Sequence, residues 1–434
     1  MDDMPKVIAF ILLALLLPSL ASAEERLERF PAPDFRNGYK MPQTVTPPTP
    51  WQGWQIVDVA ALAGALALSA VFVAKRRSRR WIFALSVGSL LYFGFWRKGC
   101  ICPVGSIQNV AWAAGGHGYV LPWAVALFFM LPLLFTLYYG RVFCSGVCPL
   151  GAIQDLVLFK PIHIPQWLES PLGLAAWAYL GLAVLFAACG SEFFICKYDP
   201  FVGFFRMSGP ASMILAGGII LGACLFVGRV YCRFLCPYSV LLRLLAPFAR
   251  RPVSITPTGC IDCRLCEESC PFNAIRVPSA KPKAGKTPSA SQRLGWALSA
   301  PALMIVFALL GYLGRGALAR TDFTVRLAEQ VWQEEKTGVR NTTDQTKAFR
   351  RTGQTISQLY ASAATLQHRF AIGAPIFGAW MGLAIASKIL GPMTQRRRTG
   401  YTADASACVA CARCFAACPA QVKSDQPIEE LAAV

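Results

Sequence analysis

Seven apolar segments dominate this sequence and restrict the folds open to it. A transmembrane helix needs about 20 apolar residues, and these segments reach or approach that length. They lie near residues 56–74, 81–96, 120–139, 172–188, 211–227, 296–313 and 372–390. Hydrophobic residues make up 55% of the 434 residues and charged residues only 15%, which is typical of membrane proteins and not of two or three soluble domains. The sequence predicts an α-helical polytopic membrane protein with about seven transmembrane helices after a signal segment.

Clusters of basic residues predict how these helices are oriented. The first 23 residues combine a short apolar stretch with a small-residue end at Ala23, which is typical of a signal peptide; an uncleaved anchor helix is the alternative. With a signal peptide or with an anchor helix, the segment that follows begins outside the cytoplasm. The first crossing then ends at the basic run Lys75–Arg80, on the cytoplasmic side that the positive-inside rule requires. The basic residues of 229–293 and 396–398 fall on the same side, so orientation explains the net charge of +19, and we do not expect nucleic acid binding.

The predicted domain organisation follows from these assignments. Residues 1–23 are a signal peptide or anchor, 24–53 a short periplasmic segment and 54–250 a five-helix membrane core. A cysteine-rich module follows in two halves, at 251–295 with a linker and at 391–434. Between the halves lie a transmembrane helix at 296–313, a periplasmic helical segment at 314–370 and a transmembrane helix at 371–390. Because two crossings separate the two halves, both halves lie on the cytoplasmic side.

Two cysteine runs give the most specific chemical signal. Residues 260–271 read CIDCRLCEESCP and residues 408–419 read CVACARCFAACP. Both have the spacing of bacterial ferredoxins, in which three cysteines hold one [4Fe–4S] cluster and the fourth ligates the other cluster. We therefore expect a small cytoplasmic two-cluster ferredoxin module, split between two chain segments. The predicted ligand sets are Cys260, Cys263, Cys266 and Cys418 for one cluster and Cys408, Cys411, Cys414 and Cys270 for the other. A pair of four-cysteine zinc sites is the alternative, but zinc sites do not need the terminal proline.

A second cysteine motif occurs twice, as GRVFCSGVCPL at 140–150 and GRVYCRFLCPY at 228–238. Cysteines four residues apart face the same side of a helical turn, and the proline suits the start of the next helix. The two copies supply four thiolates at one membrane face, which suffice for a [4Fe–4S] or [2Fe–2S] cluster: Cys144, Cys148, Cys232 and Cys236. We expect Arg141 and Arg229 to offset the negative charge of this cofactor. The alternatives are a disulfide, which the cytoplasm disfavours, and cysteines that are merely buried.

Four further cysteines are predicted on the outer side: Cys100, Cys102, Cys189 and Cys196. The stretch GCICPVGSIQNV at 99–110 nearly repeats SGVCPLGAIQDL at 145–156. One crossing separates the two copies, so the sequence predicts cofactor sites on both faces, with the outer cluster held by these four cysteines. A disulfide between Cys189 and Cys196 is the alternative, because this side is oxidising.

We do not expect other cofactors. The histidines His117, His163 and His368 all lie outside the apolar segments, so the facing intramembrane pair that a b-type haem uses has no candidates. No glycine-rich nucleotide-binding motif follows a candidate strand. Cys224 lies alone in an apolar run and is most simply a core residue.

The combination of motifs resembles the membrane polyferredoxins of the NosR/NirI and NapH type. CSGVCPLGAIQDL, CRFLCPYSVLL and the two ferredoxin runs carry this resemblance, which extends from about Trp54 to the C-terminus. It implies a bacterial inner-membrane electron-transfer protein with cytoplasmic ferredoxin clusters that serves a periplasmic reductase or its maturation. The outer cysteines favour the NosR-like branch. NosR-like members carry a large periplasmic flavin-binding domain; only about 30 residues separate Ala23 from the first crossing here, so we do not expect FMN.

Three functions remain open at this point. The leading interpretation is a conduit for single electrons between the cytoplasmic clusters and an outer acceptor, in denitrification or nitrous oxide reduction. A quinol dehydrogenase subunit and a redox-sensing regulatory or assembly protein are the alternatives. The expected partners are membrane lipid, a periplasmic reductase or electron carrier, and a quinol or a cytoplasmic reductant. No proton-handling or nucleophilic group of residues is visible, so we expect no catalytic residues beyond redox chemistry.

Overall fold

The structure, a computed structural model, describes residues 52–99, 102–162, 164–255, 260–278, 290–339, 342–390 and 400–420. Within these ranges the protein is almost entirely helical, with one two-stranded sheet. The predicted signal segment, nearly all of the short segment after it, Cys100 and His163 lie outside the described residues.

The helix α1 (Gln52–Ala74) precedes four copies of one structural unit: an apolar helix, a break and a shorter helix that begins with proline. The first copy consists of α2 (Arg79–Ser89), its π-helical continuation (Leu90–Trp96) and α3 (Pro103–Ala114). The second consists of α4 (Trp123–Tyr139), the one-turn helix α5 (Val142–Gly146) and α6 (Pro149–Val157). The third consists of α7 (Gln166–Cys189), α8 (Phe194–Tyr198) and α9 (Pro200–Arg206). The fourth consists of α10 (Ala211–Cys224), α11 (Val230–Phe234) and α12 (Pro237–Leu245), followed by a 3-10 turn (Ala246–Phe248).

Proline explains where each shorter helix starts. A proline at the first helical position loses no intrahelical hydrogen bond, and its fixed φ angle suits the helix. The residues at the N-cap before these prolines are Cys102, Cys148, Asp199 and Cys236, all in extended backbone. Three thiols thus lie at helix N-termini, where free N–H groups and the helix dipole favour a negatively charged thiolate.

Four helices are long and apolar enough to cross a membrane: residues 53–74, 167–189, 298–319 and 356–389. The helices α9 and α10 meet at 103° and form a fifth candidate, either a broken span or a re-entrant segment. The helix α4 is apolar but shorter. The described residues therefore form a helical membrane protein with four or five candidate spans. The seven-span topology, which also needs residues 81–96 and 120–139 to cross, stays a prediction.

The rest of the chain adds two short cysteine-bearing segments around a pair of long helices. In order these elements are α13 (Leu265–Glu268), β1 (Ile275–Arg276), α14 (Ala290–Ala319), α15 (Phe323–Thr337), α16 (Asp344–Arg351), α17 (Ile356–Leu390), β2 (Thr402–Ala403) and α18 (Arg413–Ala417). Both α14 and α17 extend beyond their predicted crossings into the predicted outer segment 314–370, because residues with good helix propensity continue each apolar stretch.

The two ferredoxin halves meet through the sheet. The strand β1 pairs antiparallel with β2, so that Ile275 lies opposite Ala403 and Arg276 opposite Thr402. Arg276 also forms a 3.0 Å ion pair with Asp404, whose backbone N–H donates to the carbonyl oxygen of residue 274. A two-residue ladder is weak by itself, so the packing of the two cysteine runs against each other must supply most of the stability of this module.

The segment between α14 and α17 is hydrogen-bonded to the residues that follow α7. Asp322 caps α15 by accepting a 2.7 Å hydrogen bond from the backbone N–H of Thr324, and the Ser191 hydroxyl donates to the same carboxylate. Ser191 follows α7 and precedes α8, the one-turn helix that contains Cys196. The predicted outer segment therefore lies beside one of the predicted outer cysteines.

Glycines allow α14 and α17 to approach closely. A Cβ atom at Gly378 would overlap the carbonyl oxygen of Phe307, and one at Gly382 would overlap that of Leu303. The spacing G-x3-G is typical of membrane helices in close contact.

Replacing Gly378 with Ile is therefore expected to lower the free energy of unfolding by about 1–3 kcal/mol, the usual cost of overpacking. The melting temperature of the detergent-solubilised protein measures this effect. Gly314→Ile is the matched control, because a Cβ atom at Gly314 meets no neighbour within 4 Å. Equal melting temperatures for the two variants would contradict the close packing.

Candidate iron–sulfur centres

The first predicted ferredoxin set surrounds a cavity near the surface of the module. Cys260, Cys263, Cys266 and Cys418 all line this cavity. Cys260 and Cys263 are exposed, and the Tyr401 hydroxyl donates to Asp262 beside them. We call this set the distal set. The fourth cysteine comes from the other half of the module, as the exchange of the fourth ligand predicts.

The second predicted set surrounds a separate and more buried cavity. Cys270, Cys408, Cys411 and Cys414 line it, and Cys270 and Cys411 are buried. We call this set the proximal set. Within the described ranges, no three Cys, His, Asp or Glu side chains are close enough to share a single metal ion. Each set instead places four thiols around one shared cavity, so the donor chemistry fits an iron–sulfur cluster.

Matching strain in the two cysteine loops supports this fit. Asp262 and Arg264 have φ angles of 56° and 58°, and the equivalent residues Ala410 and Ala412 have 55° and 59°. Non-glycine residues reach this left-handed region at a cost of about 1–2 kcal/mol each. Such strain persists only where the surrounding structure imposes it, and it occurs often at functional sites. The same two strained positions in both loops indicate that each loop is shaped to wrap the same kind of group.

The proximal thiols need a positive partner to ionise. Burial, together with the neighbouring Cys411 and Cys270, raises the pKa of the Cys408 thiol to about 12. Cluster ligands are thiolates, so binding of iron must release these protons. The charge of bound iron would offset the burial cost at this position.

The four cysteines of the repeated C-x3-C-P motif come together inside the membrane core. Each is 6 or 7% exposed, and all belong to one hydrophobic cluster. The electrostatic neighbours of Cys148 include the other three members. We call Cys144, Cys148, Cys232 and Cys236 the membrane set. Two members lie in the one-turn helices α5 and α11 and two cap the helices α6 and α12, so both copies of the motif place their thiols in the same way.

The two predicted arginines differ in what they contact. Arg141 is 2% exposed, and its Nη2 lies 3.7 Å from the Cys144 sulfur and 3.3 Å from the Ser239 hydroxyl. In the part of the chain that the structure describes, Arg141 forms no ion pair with a carboxylate. Its positive charge is therefore available to a negatively charged group held by the membrane set.

Arg229 is fully buried, and its charge is largely balanced by Asp155. Its Nε and Nη2 donate to the two carboxylate oxygens at 3.1 and 2.8 Å, and its Nη1 donates to the carbonyl oxygen of Cys144. The guanidinium also lies 5.7 Å from the centre of the Phe272 ring. Arg229 thus joins the membrane set to the ferredoxin module, while the predicted offset of cluster charge by Arg229 stays a prediction.

Two glutamines hold cysteines by the same pair of hydrogen bonds. The amide Nε2 of Gln154 donates to the Cys232 sulfur at 3.3 Å, and its Oε1 accepts from the backbone N–H of Tyr231. In the same way Gln108 donates to the Cys196 sulfur at 3.5 Å and accepts from the N–H of the preceding residue. Each glutamine thus fixes the position of one sulfur.

The structure separates the four predicted outer cysteines. Cys102 is half-buried and Cys196 exposed, and each lies within electrostatic reach of the other. Cys189 is 3% exposed in a different apolar cluster, with Leu185 and Phe370 among its members. Cys100 lies outside the described residues. The structure thus places Cys102 within electrostatic reach of Cys196 and places Cys189 in a different apolar cluster; the assignment of all four cysteines to one cluster stays a prediction.

Sequence reasoning missed three polar residues of these sites. Gln108 and Gln154 occur at the same place in the repeated phrases GCICPVGSIQNV and SGVCPLGAIQDL, so the shared Ile-Gln was an available signal. Asp155 follows the second of these glutamines in the sequence. No local pattern indicated that it would face Arg229, which is 74 positions away.

Comparison with protein families gives matches over these same motifs. Residues 121–163 and 208–256 match a family described as a 4Fe-4S binding domain, and the two stretches contain the two C-x3-C-P motifs. Residues 253–276 match a second family with the same description and contain the first ferredoxin run. The chain is therefore an iron–sulfur protein.

Three curated relatives are 29–30% identical to this chain within the aligned segments. YccM of Escherichia coli K12, named for electron transport, is 29% identical over 44% of this chain and 65% of its own length. The regulatory protein NosR of Pseudomonas aeruginosa is 29% identical over 50% of this chain and 34% of its own length. NirI of Paracoccus denitrificans is 30% identical over 32% of this chain and 22% of its own length.

The matched region thus covers less than two thirds of each of these three relatives. No solved structure matches the chain. The shared motifs, the buried cysteine sets and the named relatives lead to one conclusion: the chain is similar to the NosR/NirI-type membrane polyferredoxins.

Proposed function

We propose that this protein carries single electrons across the bacterial inner membrane, between its ferredoxin module and an acceptor on the outer side. One observation carries the proposal. The proximal set lies directly against the helices that hold the membrane set, so cysteine sites follow one another from the module surface into the membrane core. Clusters bound at these sites would supply one-electron redox chemistry.

Several buried contacts fix the module on the membrane core. Arg233, in the second C-x3-C-P motif, donates to the carbonyl oxygen of Pro271 at 3.2 Å. Arg141 donates to that of Ser406 at 3.0 Å. Both acceptors lie in the module next to proximal cysteines. A rigid interface of this kind would keep the spacing between neighbouring redox sites constant, as electron transfer requires.

The next redox site in the series would lie toward the outer side of the membrane. Cys102 is among the electrostatic neighbours of Cys148 and Cys236, although the sequence separates it from both by at least one apolar helix. The outer and membrane sites are therefore neighbours inside the protein. This supports a continuous series of sites through the membrane core, in place of two sites on distant surfaces.

Side chains at each site would tune the redox potential. Hydrogen bonds to the sulfurs and nearby positive charge stabilise the more negative, reduced state of a cluster. At the membrane set, Gln154 supplies such a bond to Cys232 and Arg141 supplies the charge. At the outer side, Gln108 supplies the bond to Cys196.

The proposed sidedness rests on the basic run at 75–80. Arg77 lies 5.1 Å from the ring centre of Phe415, in the second ferredoxin half, and Arg79 donates to the carbonyl oxygen of Cys411. The positive-inside rule assigns this run to the cytoplasm, so these contacts support a cytoplasmic module. The helical segment α15–α16 and Cys196 would then face the periplasm.

The proposed acceptor is a periplasmic reductase or an electron carrier that serves it. The relatives named NosR and NirI favour a role in denitrification-type respiration, and a quinol or a soluble cytoplasmic reductant would provide the electrons. We propose four iron–sulfur sites: the distal, proximal and membrane sets, and an outer site that includes Cys102 and Cys196.

Electron transfer across a sealed membrane tests the proposal. Liposomes containing the protein and trapped ferricyanide are expected to lose the ferricyanide colour when dithionite, which does not cross the bilayer, is added outside. Cys144→Ala should slow this reduction at least tenfold, because the series is broken at the membrane set. The EPR signals of the ferredoxin module in this variant show whether its fold is intact. Equal rates for the two proteins, or no reduction by the unaltered protein, would refute the transmembrane route.

A further inference from the structure

Asp199 occupies the position that a cysteine occupies in the other three copies of the repeated unit. It caps α9 before Pro200, as Cys236 caps α12 before Pro237. Its φ and ψ angles are −71° and 116°, the same values as those of Cys148. The backbone therefore directs the side chain of Asp199 as it directs that of a cysteine in the membrane set.

The cysteine that precedes Asp199 is also equivalent to a member of the membrane set. Cys196 accepts a hydrogen bond from Gln108 as Cys232 accepts one from Gln154. In the fourth copy Cys232 is followed by Cys236; in the third copy Cys196 is followed by Asp199. The pair Cys196 and Asp199 therefore corresponds to the second C-x3-C-P motif, one residue shorter and with a carboxylate in place of the final thiol.

The surroundings of Asp199 require a positive partner. Asp199 is 4% exposed. One oxygen accepts from the backbone N–H of Phe201 at 2.9 Å, and the other accepts from the Tyr231 hydroxyl at 2.7 Å. No Lys or Arg forms an ion pair with it in the ranges that the structure describes. A buried carboxylate without a cation is costly, whereas a metal ion would offset its charge.

Cys102 completes the grouping. It caps α3 before Pro103 as Cys148 caps α6, and Gln108 of α3 forms hydrogen bonds with both Cys196 and Ile195 of α8. Cys102 also lies within electrostatic reach of Asp199 and Cys196. Cys189, by contrast, belongs to the apolar cluster around Phe370.

We propose that Asp199 is an oxygen ligand of the outer iron–sulfur centre, in the place of a cysteine thiolate, together with the thiolates of Cys102 and Cys196. This inference rests on the proposed iron–sulfur function and assigns a residue that cysteine counting cannot find. Carboxylate is a harder ligand than thiolate and holds the iron of a cluster less firmly. The iron at Asp199 is therefore the one that leaves first on oxidation.

Three variants of the full-length protein test this assignment: D199N, D199C and C189A. Asparagine still caps a helix and still accepts a hydrogen bond from Tyr231, but it cannot supply an anionic ligand. We expect D199N to lose at least one iron atom per chain and to lose the EPR signal of one cluster. D199C should keep its iron, and C189A should match the unaltered protein in iron, acid-labile sulfide and EPR spectrum.

Mild oxidation gives a second readout. Ferricyanide takes one electron from an oxidised four-iron cluster, [4Fe–4S]²⁺, which then releases one Fe²⁺ and becomes [3Fe–4S]⁺. The unaltered protein treated with ferricyanide and a chelator should show the EPR signal of this three-iron product. D199C should resist the conversion, because a thiolate then holds the fourth iron.

The outcomes separate this inference from the proposed function. A D199N protein with unchanged iron and EPR spectrum would mean that Asp199 only caps α9. Loss of a cluster in C189A, without loss in D199N, would restore Cys189 as the ligand. Loss of the ferredoxin EPR signals in D199N would mean that this variant no longer folds correctly. D199C then provides the test: if ferricyanide converts its cluster as readily as that of the unaltered protein, the assignment of Asp199 is overturned. Absence of iron from the unaltered protein would instead refute the proposed function itself.

Discussion

Replacing Asp155 with Ala is expected to lower the free energy of unfolding by about 3–5 kcal/mol, the usual cost of removing one partner of a buried ion pair. The variant would leave the guanidinium of Arg229, which is 0% exposed, without its carboxylate. Arg79, with Nη2 at 3.3 Å, and Arg413, at 3.9 Å, would lose the same partner. Three positive charges would then face one another beneath the ferredoxin module.

The melting temperature of the detergent-solubilised protein measures this loss. The matched control is Glu329→Ala, which removes an exposed ion pair with Arg320 and should cost less than about 1 kcal/mol. The double variant Asp155→Leu and Arg229→Met should be more stable than Asp155→Ala, because it also removes the fully buried guanidinium that Asp155→Ala leaves unpaired. If Asp155→Ala and Glu329→Ala melt at the same temperature, Asp155 does not hold the module on the membrane core.

Replacing Cys418 with Ala is expected to remove the cluster of the distal set and to leave that of the proximal set. Cys418 lies in the second ferredoxin run, yet it lines the cavity of Cys260, Cys263 and Cys266. Iron content should fall by about four atoms per chain, which is one [4Fe–4S] cluster, and EPR of the reduced protein should lose the magnetic coupling between two neighbouring clusters.

The reciprocal variant, Cys270→Ala, is the control for this result. Cys270 lies in the first run but lines the cavity of the second run, so its loss should remove the proximal cluster and keep the distal one. Spectra in which each variant damages the cluster of its own run would show that the fourth ligand is not exchanged.

The arrangement of the ferredoxin cysteines was predictable because it depends on spacing. The positions of the four cysteines in each run determine which three can wrap one group and which one must point away. The sequence therefore paired Cys418 with Cys260 and Cys270 with Cys408, and the structure has both pairs at shared cavities. The apolar segments likewise predicted a helical membrane protein, because length and hydrophobicity are local properties.

Contacts between distant segments could not be predicted in this way. Asp155 and Arg229 lie in different copies of the repeated unit, and nothing in the local sequence of either residue indicates the other. The grouping of Cys189 with the outer cysteines rested on residue type alone and stays a prediction, and the structure buries Cys189 in one apolar cluster with Phe370. Asp199 was overlooked because a cysteine search ignores a carboxylate, although the Asp-Pro step at 199–200 repeats the Cys-Pro steps.

The division of the ferredoxin module also governs how the protein can be assembled. Its first run precedes α14 and its second follows α17, and the strand pair β1–β2 joins them. Neither ferredoxin set is complete until the second run has been synthesised and has met the first run at β1–β2. Cluster loading must therefore wait until α14 and α17, which lie between the two runs, have reached their final positions. A cell that supplies iron and sulfide to this chain would do so only to molecules whose last helix pair is already in place.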